Sequence, residues 1–227
     1  GGGAGWWGAW RAAVLGWMLP SVWSAGPSVL RAIRQPTLCG AVTNSIECDP
    51  PNRVIITGYN VSGKSTFLRT VGLTAVLAQT INTCVASRYE APVFVVRSCI
   101  GFADDLASGK SYYMAEVKSV LALVQAARSP SPHLMLFDEL FRGTNAVERI
   151  SAAEAVLLSL LTVGANQTRA SHVVIVATHD QELVDLLEGA YAAHHFTDTI
   201  DPSGLAFDYR LQPGPATTRN AIALLAQ

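Results

Sequence analysis

Charge is scarce in this sequence. Asp, Glu, Lys and Arg together make up 15% of its 227 residues, the formal net charge is -1, and no run of Lys or Arg occurs anywhere. A broad electropositive surface is thereby excluded, so contact of this chain with nucleic acid is expected to be weak or to run through parts absent from it. Cysteine is scarcer still. Cys39, Cys48, Cys84 and Cys99 are scattered, without a C-x-x-C pair or a His at ligand spacing, which argues against a zinc site and against a disulfide framework. They read as buried thiols of a reducing, cytoplasmic compartment. His133, His172 and the pair His194-His195 have no accompanying Cys, Asp or Glu cluster and read as structural or surface residues.

Long hydrophobic runs are missing as well. Residues 12–30 carry no charge, but Gly16, Pro20, Gly26 and Pro27 interrupt them, and a spanning helix needs about 20 predominantly apolar residues. The expectation is an amphipathic packing segment or the remnant of a helical lever rather than a membrane segment. A secretory signal is disfavoured too, because no basic stretch precedes the run and no clear small-residue cleavage site follows it. The chain opens on Gly1 rather than Met, its Gly- and Trp-rich start has no periodic pattern, and no internal repeat is evident. Residues 1–29 are therefore expected to be an extension left from an upstream region.

What is present suits one large α/β domain: 227 residues, half of them hydrophobic, are ample for a buried core. Short β-like runs at 54–57, 93–97, 134–137 and 173–177 alternate with helical spacing at 65–80, 114–127, 146–161 and, more briefly, 182–187. That order predicts a mainly parallel sheet covered by helices on both faces. Pro130-Ser131-Pro132 and Gly164-Ala165-Asn166 read as loops between units. The run 205–211 alternates as a late antiparallel strand would, and Thr218 is placed to cap a final helix through residue 225.

The chemistry concentrates at the ends of the expected strands. Gly58-Tyr59-Asn60-Val61-Ser62-Gly63-Lys64-Ser65-Thr66 fits G-x-x-x-x-G-K-[ST] and follows the apolar run Val54-Ile55-Ile56-Thr57. In such a loop Gly58 and Gly63 let backbone N–H groups curl around phosphates, Lys64 reaches the β- and γ-oxygens, and Ser65 offers a hydroxyl to Mg²⁺. The helix that follows adds its positive N-terminal end. Leu134-Met135-Leu136-Phe137-Asp138-Glu139 is an apolar strand closing on two carboxylates. Asp138 is the expected Mg²⁺ partner and Glu139 the residue that orients or deprotonates an attacking water. The run 173–177 ends in Thr178-His179-Asp180, which puts His179 where a γ-phosphate can be sensed from a neighbouring strand.

Between these motifs lies Asp104-Asp105-Leu106-Ala107-Ser108-Gly109-Lys110-Ser111-Tyr112-Tyr113-Met114-Ala115-Glu116. On its residues alone it reads as a capping loop, with Ser111 as N-cap and Tyr112 and Met114 in the core. It also resembles the D-D-L-x-S-G-[RK]-S-x-[FY]-M-x-E stretch of the MutS family ATPase domain. Asp138-Glu139-Leu140-Phe141-Arg142-Gly143-Thr144-Asn145 is similar to that family's D-E-x-x-R-G-T-[SN], Thr178-His179 fits, and residues 213–221 resemble a closing segment of compact MutS-related proteins. Residues 30–38 are a weaker echo of an L-R-H-P-L segment, with Gln35 for His.

The resemblance covers residues 30–227. It implies a P-loop NTPase fold of the ABC-ATPase-like type, binding of ATP and Mg²⁺, and hydrolysis in a homodimer whose sites are composite. Ser111 matches the Ser that relatives offer in trans to the other subunit's nucleotide, and Asn60 the Asn near the γ-phosphate; Thr66 completes the nucleotide loop. Two departures are Tyr59 and Val61, where the family has Pro and Met; Tyr59 gives up a φ that Pro would fix. Val42-Thr43-Asn44-Ser45 stands where relatives place a nucleobase-contacting loop, but it carries no aromatic stacker. Mismatch-reading, connector and clamp regions do not fit in the residues before Leu30, so DNA is expected as a partner only through upstream domains. Alternative readings are an ATPase subunit of a membrane-associated ABC-type system, a small-molecule kinase, and a non-hydrolysing interaction module. The first lacks an L-S-G-G-Q stretch before Leu134, the second an Arg-rich lid, and the intact Lys64, Ser65, Asp138 and Glu139 argue against the third.

Overall fold

The computed structural model describes residues 17–18, 20–22, 28–49, 52–59, 61–101, 112–162, 172–201 and 204–216. Asn60, residues 104–111 and the expected final helix at 218–225 lie outside the described residues.

The central sheet is built on the three most apolar runs of the chain. Strands β5 (Arg53–Thr57), β9 (His133–Asp138) and β10 (Val173–Ala177) are buried almost throughout, as expected of parallel strands covered on both faces. With β8 (Val95–Cys99), β11 (Ala192–Asp201) and β12 (Gly204–Pro213) they form six strands in the order β12-β11-β5-β10-β9-β8. Every pairing is parallel except β11 with β12, where the late strand expected at 205–211 closes the edge antiparallel. The architecture is α/β, a mixed but mainly parallel sheet flanked by helices.

Alternate residues of each strand feed opposite cores. Val54, Ile56, Leu134, Leu136 and Ile175 face one core, which includes Phe67, Leu68 and Val71 of helix α1 (Lys64–Thr80). Ile55, Met135, Phe137, Val174 and Val176 face the other, with side chains of α2 (Tyr112–Ala126), α3 (Ala146–Thr162) and α4 (Gln181–Leu186). Gly72 sets how closely α1 lies on β9. A Cβ there would come within 2.9 Å of Leu136 Cδ1, so a larger residue would have to displace the Leu136 side chain within the core.

A second, four-stranded sheet packs over α1 in the order β2-β7-β3-β4: β2 (Ser21–Val22), β7 (Arg88–Ala91), β3 (Ser28–Ile33) and β4 (Asn44–Cys48). In β3, Leu30 and Ile33 are buried while Arg31 is exposed; in β4, Ile46 and Cys48 are buried while Ser45 and Glu47 are exposed. This is a one-sided sheet with one face on the core. A further pair joins β1 (Trp17–Met18) to β6 (Cys84–Val85).

Several expectations change. The described part of residues 12–30 forms short strands, not a helix, because its residues pair with β6 and β7. Strand β3 begins at Ser28, so the small sheet draws on residues either side of position 30. Strand β8 starts two residues later than the apolar run at 93–97, and Met114, read as core, is 48% exposed. Cys48, Cys84 and Cys99 are buried thiols, with burial pushing Cys48 and Cys99 up to about 12, whereas Cys39 is exposed. His133 and His172 are structural: the His133 backbone N–H donates to His172 Nδ1 at 3.1 Å and the rings meet edge to face.

Candidate nucleotide site

Parallel pairing brings the polar strand ends to one edge of the sheet. Ala177 is in register with Asp138 on one side and with Ile56 on the other, and His195 with Thr57. The ladder continues one step past the strands, since the Glu139 N–H donates to Ala177 O and the Thr178 N–H to Ile56 O, both at 2.9 Å. Thr57-Gly58, Asp138-Glu139 and Thr178-His179 therefore leave the sheet side by side.

From β5 the chain turns tightly into α1. Gly58 (φ 149) and Gly63 (φ 108) supply left-handed backbone, and the Ser62 N–H donates to Tyr59 O at 3.1 Å. Gly58 has no room for a side chain, because a Cβ would lie 2.7 Å from Ser62 Oγ and 3.2 Å from Phe196 Cβ. Helix α1 starts directly on Gly63, and no side chain caps it. Its first-turn N–H groups and positive end are left facing the loop, an arrangement suited to an anion.

Lys64 is buried at the base of this turn. Its Nζ donates to Gly58 O at 2.6 Å and Tyr59 O at 2.9 Å, which leaves one of three donors for an anion. Burial pushes its pKa down, against the pull of Glu139 and Asp138, and the nearest carboxylate oxygen is Glu139 Oε1 at 3.9 Å. Glu139 sits at the centre of the charge network. Its Oε2 lies 2.9 Å from Arg142 Nε and 3.4 Å from His179 Nδ1. The His179 contact, with help from Arg142 and Lys64 against burial, holds the Glu139 carboxyl below the usual range, and Glu139 in turn raises His179. Asp180, beside His179, is fixed by a two-pronged pair with Arg149 of α3 at 2.9 and 2.7 Å.

A cavity of about 640 Å³ opens in front of the α1 N-terminus. Gly63, Lys64, Ser65, Thr66 and Glu139 of the sequence-derived site form part of its wall; Gly58, Asp138 and His179 do not. Opposite stand Ile33, Gln35 and residues 38–42 of the small sheet's β3–β4 connection, with Arg142, Phe196 and Tyr209 completing the enclosure. The volume falls in the range of small-molecule and cofactor sites. Asp138 is buried, and its Oδ1 has no hydrogen-bond partner among the described residues; Ser62 Oγ is in the same condition. A buried carboxylate oxygen without a partner, at a strand end close enough to Lys64 to act on its charge, fits a hydrated divalent cation carried with a phosphate. No group of three or more His, Cys, Asp and Glu is arranged to hold a metal among the described residues, so a cation there would draw its remaining ligands from water and ligand oxygens.

The model of MutS domain V matches residues 54–226. The chain belongs to the MutS family. Three similar relatives each carry the name DNA mismatch repair protein MutS. That of Thermus aquaticus is 36% identical over 174 residues, covering 76% of this chain and 20% of the relative. That of Thermus thermophilus is 34% identical over 192 residues, with 83% and 22% covered. That of Pseudothermotoga lettingae is 38% identical over 177 residues, with 75% and 21% covered. The chain thus spans about a fifth of the length of these MutS relatives. No helix among the described residues is long and apolar enough to cross a membrane.

Two features of the MutS-family site escape a reading by motif. Tyr209 is an aromatic wall of the cavity that comes from β12 rather than from the Val42–Ser45 region, and only the alternation of the late strand hints at its placement. Asn44 lines the cavity, but its amide is bound to β12: Nδ2 donates to Tyr209 O at 3.0 Å and Oδ1 accepts from the Leu211 N–H at 2.7 Å.

Proposed function

We propose that this MutS-family domain is an ATP-binding and ATP-hydrolysing motor with a P-loop, ABC-ATPase-like fold over residues 30–227, acting in a dimer with composite sites. The observation that carries the reading is the convergence of Lys64, Ser65, Asp138 and Glu139 on one sheet edge, around a helix N-terminus that no side chain caps. The phosphates lie against the loop from Gly58 to Thr66, with the free donor of Lys64 on the β- and γ-oxygens. Asn60 and Thr66 contribute at the terminal phosphate and the helix start. The ring of Tyr209 offers the base a flat apolar face.

Ser65 Oγ and the unpartnered Oδ1 of Asp138 would hold Mg²⁺. When bound, that ion neutralises charge on the phosphate oxygens. Glu139 aligns a water for in-line attack on the γ-phosphorus and accepts its proton; the P–O bond to the β-phosphate breaks and ADP leaves. His179 and Arg142 hold Glu139 ionised, the form that accepts a proton. Ser111 donates its hydroxyl to the nucleotide of a partner copy. The relatives' name supports a larger role: the motor serves a DNA mismatch repair-type protein, and mismatched or structured DNA is bound by upstream domains.

Titration with a fluorescent ATP analogue, paired with steady-state phosphate release, tests this reading. Lys64→Ala is expected to abolish binding. Glu139→Gln is expected to bind as wild type and to lose turnover by at least about a hundredfold. Mixing Ser111→Ala with Lys64→Ala subunits is expected to restore part of the turnover that each lacks. Unchanged turnover in Glu139→Gln removes that residue from the reaction, and failure of the mixture to regain activity removes the shared site.

A further inference from the structure

The turn that presents Glu139 is built against the backbone preferences of its residues. Glu139 (φ 51) and Phe141 (φ 61) both adopt left-handed backbone, which is unfavourable for side chains other than Gly, Asn and Asp. Such conformations persist only where surrounding contacts over-determine them. On the sheet side the Glu139 N–H is held by Ala177 O. On the other side the holder is Glu116, 25 residues earlier in the chain, whose Oε1 accepts the Phe141 N–H at 2.5 Å. Glu116 is 1% exposed, within the second turn of α2, and its neighbour Tyr113 lays its ring 6.3 Å from that of Phe141. Its other oxygen, Oε2, has no hydrogen-bond partner among the described residues. Nothing in the hydrolysis scheme uses Glu116, yet a carboxylate in this setting is costly unless it does something that an apolar side chain could not.

We infer that Glu116 is a positioning residue: it fixes the left-handed turn 139–141 through the Phe141 N–H and so sets where the Glu139 carboxylate points. The inference rests on the proposed hydrolysis for its catalytic consequence, but the clamp itself does not. The role asks for an acceptor at Oε1 and not for a charge. Burial pushes the Glu116 carboxyl above the usual range, against the pull of the Phe141 N–H and Arg142, so the site already disfavours the ionised form. Gln keeps an acceptor of the same length. Asp retracts it by one methylene, and Ala removes it.

The test has two readouts on the purified chain. Amide hydrogen exchange across residues 139–142, without nucleotide, reads the clamp directly. Glu116→Ala and Glu116→Asp are expected to speed exchange there while peptides from β5 and β10 stay protected, and Glu116→Gln is expected to match wild type. Turnover then reads the consequence: kcat falls by about a hundredfold in the Ala and Asp variants, as misplacement of a reacting group by about 1 Å can cost, with binding of the ATP analogue within twofold of wild type. Unchanged exchange at 139–142 in both shortened variants overturns the inference. So does a Gln variant that loses turnover as fully as Ala, since charge would then be the requirement. Should the wild-type chain bind no nucleotide and release no phosphate, the proposed function falls, while the exchange measurement still decides the clamp.

Discussion

Two turns stand at the same edge of the central sheet, with β10 between the strands they leave, and they obtain left-handed backbone by opposite means. The turn from Gly58 to Gly63 uses glycine at φ 149 and φ 108, where a side chain is sterically excluded or strained. The turn from Glu139 to Phe141 uses residues with full side chains and holds them with Ala177 O on one flank and Glu116 on the other. In the proposed function the first turn acts chiefly through its backbone N–H groups, so a side chain at Gly58 or Gly63 would obstruct it. In the second, the chemistry is the carboxylate of Glu139, which glycine cannot supply, so conformational freedom is replaced by external contacts. Val61, at φ 75 and 77% exposed, is the exception in the first turn: a β-branched residue in left-handed backbone with little around it.

The comparison can be broken most forcefully at Gly58. Gly58→Ala drives a methyl into Ser62 Oγ and Phe196 while keeping an unfavourable φ, so we expect nucleotide binding to be lost and stability to fall by about 1–3 kcal/mol, read by titration and denaturant unfolding. Wild-type affinity in that variant would mean that the loop does not hold its shape through glycine. A smaller effect follows from the contact between His179 and Glu139. The raised pKa of His179 adds stability that is fully present below its ordinary value of 6.5 and is lost as pH rises through the raised value. The lowered pKa of Glu139 adds stability that is present above 4.5 and is lost as pH falls through the lowered value. Thermal midpoints measured from pH 4 to 9 in a chelating buffer without nucleotide should show wild type exceeding His179→Gln below about pH 6.5 and converging on it at higher pH. A gap independent of pH would dissociate the two groups. The smallest effect is a gain: Val61→Asn should relieve up to about 1 kcal/mol of backbone strain and raise the midpoint by about 2–4 °C. A drop instead would show that Val61 is held by contacts as Glu139 is.

Strands β5, β9 and β10 were legible because burial on both faces demands a continuous apolar run, and Val-Ile-Ile, Leu-Met-Leu-Phe and Val-Val-Ile-Val supply it. Strands β3, β4 and β7 were not. Each buries only part of one face, and Arg-Tyr-Glu-Ala or Asn-Ser-Ile-Glu-Cys carries too little alternation to separate a strand from a loop. Strand β11 was missed for another reason: Ala192-Ala193-His194-His195 becomes a strand because β5 and β12 flank it, not because of its composition. At the site, Lys64, Ser65, Asp138, Glu139 and His179 could be singled out because motif spacing fixes their places on successive strand ends. The work of Glu116 had no such signature, because its partner is a backbone N–H, identical in every residue but proline. Tyr209 and Asn44 are brought together across 165 positions, a distance no local pattern encodes.

The bridge from Asn44 to Tyr209 and Leu211 also defines what kind of seam divides the two sheets. Strand β12 is the outer strand of its sheet, and its N–H and C=O groups at this point would otherwise face solvent or another chain. The Asn44 amide donates to one and accepts from the other, as a neighbouring strand would, so a single side chain stands in for a rung of β-ladder. A joint made this way is polar. Breaking that rung alone exchanges two internal hydrogen bonds for two with water, a net change of only about 1 kcal/mol each. The cavity's far wall is thus held twice, by this polar rung at its rim and by the apolar core that Leu30, Ile33 and Ile46 share with Val54, Ile56 and Leu136, so the wall cannot part from the central sheet without opening that core.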